Sequence, residues 1–139
     1  MLLLDTHAWV WAVQDDTRRL GARTRRLIAR AEPREEIRVS SATLFEIVAL
    51  HTSGRLQLSR PPEQWIRESL ELPGVRLAEL SVAVVIDAGY IPRTSLADPL
   101  DRLLVATARQ LDATFLTADA AILAYAARAG RVRVHDAAR

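Results

Sequence analysis

The chain has 139 residues, half of them hydrophobic and 26% charged, with a formal net charge of +2 and no cysteine. This is the profile of one globular domain, residues 1–139, able to bury a core without disulfides, and it excludes Cys-based zinc and iron–sulfur sites. All nineteen cationic residues are arginine, which excludes Walker-A phosphate loops, Schiff-base enzymes and lysine-dependent phosphatase sites.

The apolar stretches fall far short of the ~20 residues that span a bilayer. Met-Leu-Leu-Leu4 is stopped at once by Asp5, which is no signal peptide, so a cytoplasmic protein without membrane contact is expected. Leu2–Leu4 reads as a buried strand that turns at Asp5-Thr6 into a helix, with Trp9, Val10 and Val13 at helical spacing as far as Gln14. Asp15-Asp16-Thr17 break the chain before a second helix from about Arg18 to Arg30, which carries six arginines and no acid. Ile37–Ser40 is strand-like, and Ser41 is placed to cap a helix running to about Thr52, ended by Ser53-Gly54. Pro61-Pro62 start a helix to about Leu70, stopped by Pro73-Gly74.

Val75–Leu80 reads as a strand, and Ser81 caps a helix containing Val82, Val85, Ile86 and Ala88. Ala97-Asp98-Pro99 opens a helix to about Leu111. Thr114–Leu116 is a short buried strand, Asp119–Arg128 a helix, and Val132–Val134 a last strand. Short apolar strands alternating with helices predict an α/β sandwich with a mostly parallel sheet, whose ligands sit beyond the carboxyl ends of the strands.

Three segments place carboxylates at such ends: Leu4-Asp5-Thr6, Asp98-Pro-Leu-Asp101 and Leu116-Thr117-Ala-Asp119. Each has a purely structural reading, because Asp is a preferred N-cap and negative charge near a helix N-terminus is worth ~0.3–1 kcal/mol. Asp98, followed by Pro99 and by an acid three residues on, fits that reading best. Glu46 is different. It stands in Ala42-Thr-Leu-Phe-Glu-Ile-Val-Ala-Leu50 with no arginine at three or four residues' distance, and a carboxylate on a largely buried helix needs a partner. Either an arginine from elsewhere supplies it, or a cation outside the sequence does. Converging carboxylates without cysteine are hard oxygen ligands suited to Mg²⁺ or Mn²⁺, which activate water against a phosphodiester.

The sequence resembles the PIN-domain ribonucleases, specifically the VapC-type toxins of toxin–antitoxin pairs. The matching stretches are Leu-Leu-Asp5-Thr-His-Ala-Trp-Val-Trp, Val-Ser-Ser-Ala-Thr-Leu-Phe-Glu46-Ile followed by Gly54-Arg-Leu, Asp98-Pro-Leu-Asp101-Arg-Leu-Leu-Val-Ala-Thr-Ala, and Leu-Thr117-Ala-Asp119, in family order over nearly the whole chain. The resemblance implies a PIN-like three-layer α/β/α sandwich and a Mg²⁺- or Mn²⁺-dependent endoribonuclease. Asp5, Glu46, Asp101 and Asp119 match its four acids as catalytic residues and metal ligands. Thr6, Asp98 and Thr117 stand as supporting groups. Leu100 replaces an aromatic residue common in relatives, and Leu96-Ala97 stand where many have a histidine. The resemblance also implies an RNA substrate, a homodimer and a cognate VapB-type antitoxin, with the Trp9, Trp11, Val13 helix and the Arg18–Arg30 helix as expected contact surfaces.

Arg18, Arg19, Arg23, Arg26 and Arg102 are candidate RNA contacts. The competing function is a non-catalytic α/β module that binds nucleic acid or a partner through the arginine-rich helix. An aspartyl phosphatase fails on Thr6-His7, where a second Asp is needed, and on the missing lysine. His7 is a candidate general base, with a helix-orienting hydrogen bond as the preferred alternative. Trp9 and Trp11 are read as core or interface before base-stacking groups.

Overall fold

The computed structural model describes residues 1–139. Its elements alternate as read from the sequence: β1 (Leu2–Leu4), α1 (Thr6–Val13), α2 (Ala22–Ala31), β2 (Ile37–Ser40), α3 (Ser41–Thr52), α4 (Pro62–Leu70), β3 (Val75–Ala78), α5 (Val82–Tyr90), α6 (Pro99–Leu111), β4 (Thr114–Thr117), α7 (Ala120–Ala129) and β5 (Arg133–Asp136). The sheet is parallel throughout, in the order β3-β2-β1-β4-β5.

That order decides the layers. The chain moves outward from β1 through β2 to β3, then returns to β4 and moves outward the other way to β5. Right-handed crossovers running in opposite directions put their helices on opposite faces of a sheet. Side-chain alternation along β1 agrees: Leu2 and Leu4 join a core with Trp9, Ile47 and Trp65, whereas Leu3 joins one with Leu104, Phe115 and Ile122. The strands are therefore buried on both faces, which is why they read as short apolar runs rather than as alternating patterns. The reversal of direction between β1 and β4 opens a crevice at their carboxyl ends. There the Asp5 N–H donates to the carbonyl of Leu116 at 3.0 Å and ties the two strand ends together.

Beside small shifts in strand bounds (β3 ends at Ala78 rather than Leu80, and β5 is Arg133–Asp136 rather than Val132–Val134), three details differ from the sequence reading. The second helix begins at Ala22, not Arg18, because Asp16 captures the chain first. Its Oδ1 accepts from the N–H groups of Arg18 (3.2 Å) and Arg19 (3.3 Å), closing a turn before Gly21. Arg18 and Arg19 thus lie off the helix, which keeps Arg23, Arg25, Arg26 and Arg30. The cap of α3 is Ser40 rather than Ser41, its hydroxyl accepting from the Ala42 N–H at 3.1 Å. The Trp9 face of α1 is no free surface: Trp9 is buried edge-on against Trp65, with ring centroids 5.1 Å apart. Most of the exposed large apolar side chains sit instead on α3 (Phe45, Val48) and α5 (Val82, Val85, Ile86, Tyr90), with Met1, Leu72 and Leu77 exposed elsewhere.

Gly74 enters β3 with φ +80°, and a Cβ built on it would lie 2.6 Å from the Glu32 carbonyl oxygen. Both the left-handed backbone and this close approach demand glycine. Gly74→Ala should lower unfolding free energy by about 1–3 kcal/mol in denaturant titration; an unchanged midpoint would contradict the close approach of Gly74 to Glu32.

Candidate active site

Three helices begin at the crevice, and each begins on an aspartate. Asp5 caps α1, its Oδ1 accepting from the Ala8 N–H at 2.8 Å. Asp98 caps α6, accepting from the Leu100 N–H at 2.8 Å, and Asp119 caps α7, accepting from the Ile122 N–H at 3.1 Å. The structural reading of all three acids is therefore correct. It does not account for their company, because Asp5, Glu46, Asp98, Asp101 and Asp119 all line one cavity of about 660 Å³.

Each side chain arrives by a simple rule. Asp5 follows β1 directly, Asp119 follows β4 by two residues, and Asp101 occupies the first turn of the helix that Asp98 caps. Glu46 is one turn before Leu50 on α3, and Glu46, Ala49, Leu50 and Ser53 share the helix face turned to the cavity. The expectation of a largely buried α3 was wrong: only Ala42, Thr43 and Ile47 are buried, and Glu46 is half-buried.

None of the eight ion pairs of the protein includes any of these five carboxylates. The consequence shows in their acidities. Asp101 is pushed up to about 7, first by burial and then by the charges of Asp98, Asp119, Glu46 and Asp5. Burial also raises Asp5, opposed by hydrogen bonds from Thr117 and Ala8. Thr117 is wholly buried. Its hydroxyl donates to Asp5 Oδ2, and its oxygen accepts from the Asp119 N–H at 3.0 Å. It therefore holds two acids in place rather than reaching toward a ligand itself.

The donor set suits a hard divalent cation on chemical grounds: oxygen only, mutually repelling, and without an internal counter-charge. The buried Thr6 hydroxyl, which lacks any partner, adds a further oxygen at the cavity wall. No three acids are drawn together as a ready coordination group in this conformation.

Of the arginines read as RNA contacts, Arg18, Arg19, Arg23, Arg26 and Arg102 all lie outside the cavity. Its one cation is Arg55, which the sequence reading quoted within Gly54-Arg-Leu but gave no role. The signal for it was the α3 face: continuing from Glu46 through Leu50 and Ser53 leads to the loop that carries Arg55. His7 is exposed in the cavity wall and makes no side-chain hydrogen bond, so Asp5, not His7, fixes the start of α1.

Residues 2–128 match the family model of the PIN domain, and the chain belongs to that family. Within it the sequence is 30% identical to Ribonuclease VapC22 of Mycobacterium tuberculosis over 107 residues, 77% of this chain and 78% of that protein, which sets it among the VapC-type members. The fold is shared with a crystal structure of VapBC2 from Rickettsia felis bound to a promoter DNA fragment, with a TM-score of 0.67 and 16% identity over 96% of each chain. It is shared equally with FitAcB from Neisseria gonorrhoeae, with a TM-score of 0.64 and 22% identity over 98% of this chain and 97% of that one.

The raised acids fix a sign. Between 3.8 and about 7 the folded protein holds a proton on Asp101 that the unfolded chain has lost, so without divalent cations stability falls as pH rises through that window. His135, pulled below its ordinary value mainly by burial, works oppositely. Comparison with Asp101→Asn separates the two. In EDTA, the melting temperature of the parent should decline more steeply than that of Asp101→Asn between about pH 5 and about pH 7.5. Equal slopes would contradict the upward shift of Asp101 by burial and neighbouring charge.

Proposed function

We propose that this protein is a cytoplasmic Mg²⁺- or Mn²⁺-dependent endoribonuclease, the toxin of a toxin–antitoxin pair. The observation that carries the reading is the cavity at the sheet's carboxyl edge, where five carboxylates meet without an ion pair among them. The kinship with Ribonuclease VapC22 supports RNA as the substrate, and the fold shared with VapBC and FitAB assemblies supports a VapB-type antitoxin as the partner. No helix is long and apolar enough to cross a membrane. A non-catalytic arginine module leaves the acids unexplained, since its arginines lie away from them.

Asp5, Glu46, Asp101 and Asp119 would hold the cation. When bound, it supplies the charge that acidifies water and offsets the negative charge developing on the phosphodiester. The chain's own groups do the rest. Thr117 and the Ala8 N–H fix both oxygens of Asp5, so that ligand needs little reorganisation. The Ile122 N–H takes one oxygen of Asp119 and leaves the other for the cavity. Asp101, with its acidity near neutral, releases a proton when a cation enters and can take one up when it leaves.

We also propose a homodimer through α5. Val82, Val85, Ile86 and Tyr90 form an exposed apolar stripe, and Glu79 before the helix and Arg93 after it enter no ion pair. Two copies of α5 packed antiparallel about a two-fold axis would bury the stripe and bring each Glu79 toward the other copy's Arg93. The patch is thus complementary to itself.

Two measurements test these readings. Asp5→Asn and Asp101→Asn should each lower RNA cleavage by about 100-fold or more and shrink the rise in melting temperature caused by millimolar Mn²⁺. Asp98→Asn, which keeps its cap, should stay within about 10-fold of the parent. Parental cleavage by both of the first two variants would overturn the enzyme reading. For the dimer, Ile86→Glu should convert the parent's dimeric mass in light scattering to a monomeric one while the circular dichroism stays that of the folded protein. A monomeric parent at high micromolar concentration would refute it.

A further inference from the structure

The three tryptophans have separate fates. Trp9 and Trp65 pack together in the core, and the buried Trp9 Nε1 finds no hydrogen-bond acceptor. Trp11 lies two residues further along α1, turned about 200° around the helix; it packs in part against the same core and also lines the acid cavity. It is half-buried, and its indole N–H bonds no protein group yet is not sealed from solvent. One turn earlier, the exposed His7 also lines the cavity, with its ring centroid 6.0 Å from that of Trp11 and the planes tilted by 50°. The two rings are not stacked face to face on each other. Arg55 lines the same cavity, is exposed, and enters no ion pair although five carboxylates share the space.

An acid-lined cavity repels a phosphodiester chain, so binding needs contacts that the acids do not cancel. Stacking of a base on an aromatic ring is such a contact, because it involves the uncharged part of the nucleotide. A guanidinium free of carboxylates is another, since its planar fork matches two phosphate oxygens. We propose that Trp11 offers its ring as the stacking face for one unpaired nucleobase, with the tilted His7 ring contacting the edge of that base, and that Arg55 binds a neighbouring phosphate, together making a nucleotide subsite beside the acids. The inference rests on the ribonuclease reading and adds to it the groups that seat the strand.

The test is binding of a fluorescein-labelled RNA hexamer, followed by anisotropy in an Asp101→Asn background that blocks cleavage. His7→Ala, Trp11→Ala, Trp11→Phe and Arg55→Gln are compared against intact hexamers and hexamers with abasic positions. Trp11→Ala should weaken binding of intact RNA on the order of 10-fold. Trp11→Phe should restore most of the loss, and His7→Ala should show a smaller loss of the same kind. On abasic RNA the Trp11→Ala penalty should vanish, which a structural defect would not produce. Arg55→Gln should weaken both RNAs and reduce the salt dependence by about one phosphate contact.

A Trp11→Ala penalty of equal size on abasic RNA, or no penalty in Trp11→Ala and Arg55→Gln, overturns the subsite, as does a background protein that binds no hexamer. If Trp11→Ala fails to fold, His7→Ala and Arg55→Gln, both at exposed positions, decide alone. The ribonuclease reading is judged separately by the protein with Asp101 intact. Stacking-dependent binding without cleavage in Mg²⁺ or Mn²⁺ sinks the enzyme and leaves the subsite. Cleavage that is indifferent to Trp11 and Arg55 does the reverse.

Discussion

Like charges held close together need a reason to stay. At the carboxyl edge of this sheet, Asp5, Glu46, Asp98, Asp101 and Asp119 share a cavity with one arginine, and burial, reinforced by the other four charges, pushes Asp101 up to about 7. The fold does not relieve the repulsion by pairing; it holds the acids against it. Two adjacent parallel strands, β1 and β4, end side by side at the reversal of the sheet order, and three helices start there. The N–H groups at those helix starts donate to the aspartates, which cap them at about 1 kcal/mol each, and the helix dipoles favour negative charge at the same ends.

Capping and the orientation of the cavity acids are thus the same geometry at Asp5 and Asp119. A cap uses one carboxylate oxygen. The other is either held, as Thr117 holds that of Asp5, or left for the cavity. The backbone that folds the helices also orients the acids, so little side-chain freedom remains to be lost when a cation binds. Thr117 links the two strand ends chemically as well, since it donates to Asp5 and accepts from the Asp119 N–H. Asp101 and Glu46 have no such fixing bond. Asp101 bears the electrostatic strain, and Glu46 approaches from a half-exposed helix on the other side of the crevice.

Much of this was legible in the sequence because it depends on neighbours in the chain. The strand–acid–helix pattern of Leu4-Asp5-Thr6 and the Asp98-Pro99 helix start follow from local propensity and capping. What failed depended on contacts distant in sequence or on a competing turn. Asp16 bonding the next two N–H groups delayed α2 and removed Arg18 and Arg19 from it. Trp9 and Trp11 look alike in a list of apolar residues, yet two positions around a helix bury the first fully and leave the second at the edge of the core, lining the cavity. Arg55 was quoted but given no role, because only the packing of α3 against the crevice brings its loop to the acids. The exposed stripe on α5 was equally hidden: Val82, Val85 and Ile86 have the spacing of a core face, and nothing local says that the core lies elsewhere.

The central claim is that the acids are held against repulsion so that a divalent cation can join them. The most direct measurement is anomalous diffraction at the manganese edge from crystals of the protein soaked in Mn²⁺. The account predicts an anomalous peak inside the cavity, bonded to carboxylate oxygens of Asp5 and Asp101, that disappears in Asp101→Asn. Manganese found only at surface carboxylates, with the five acids unchanged and unbound, would contradict it.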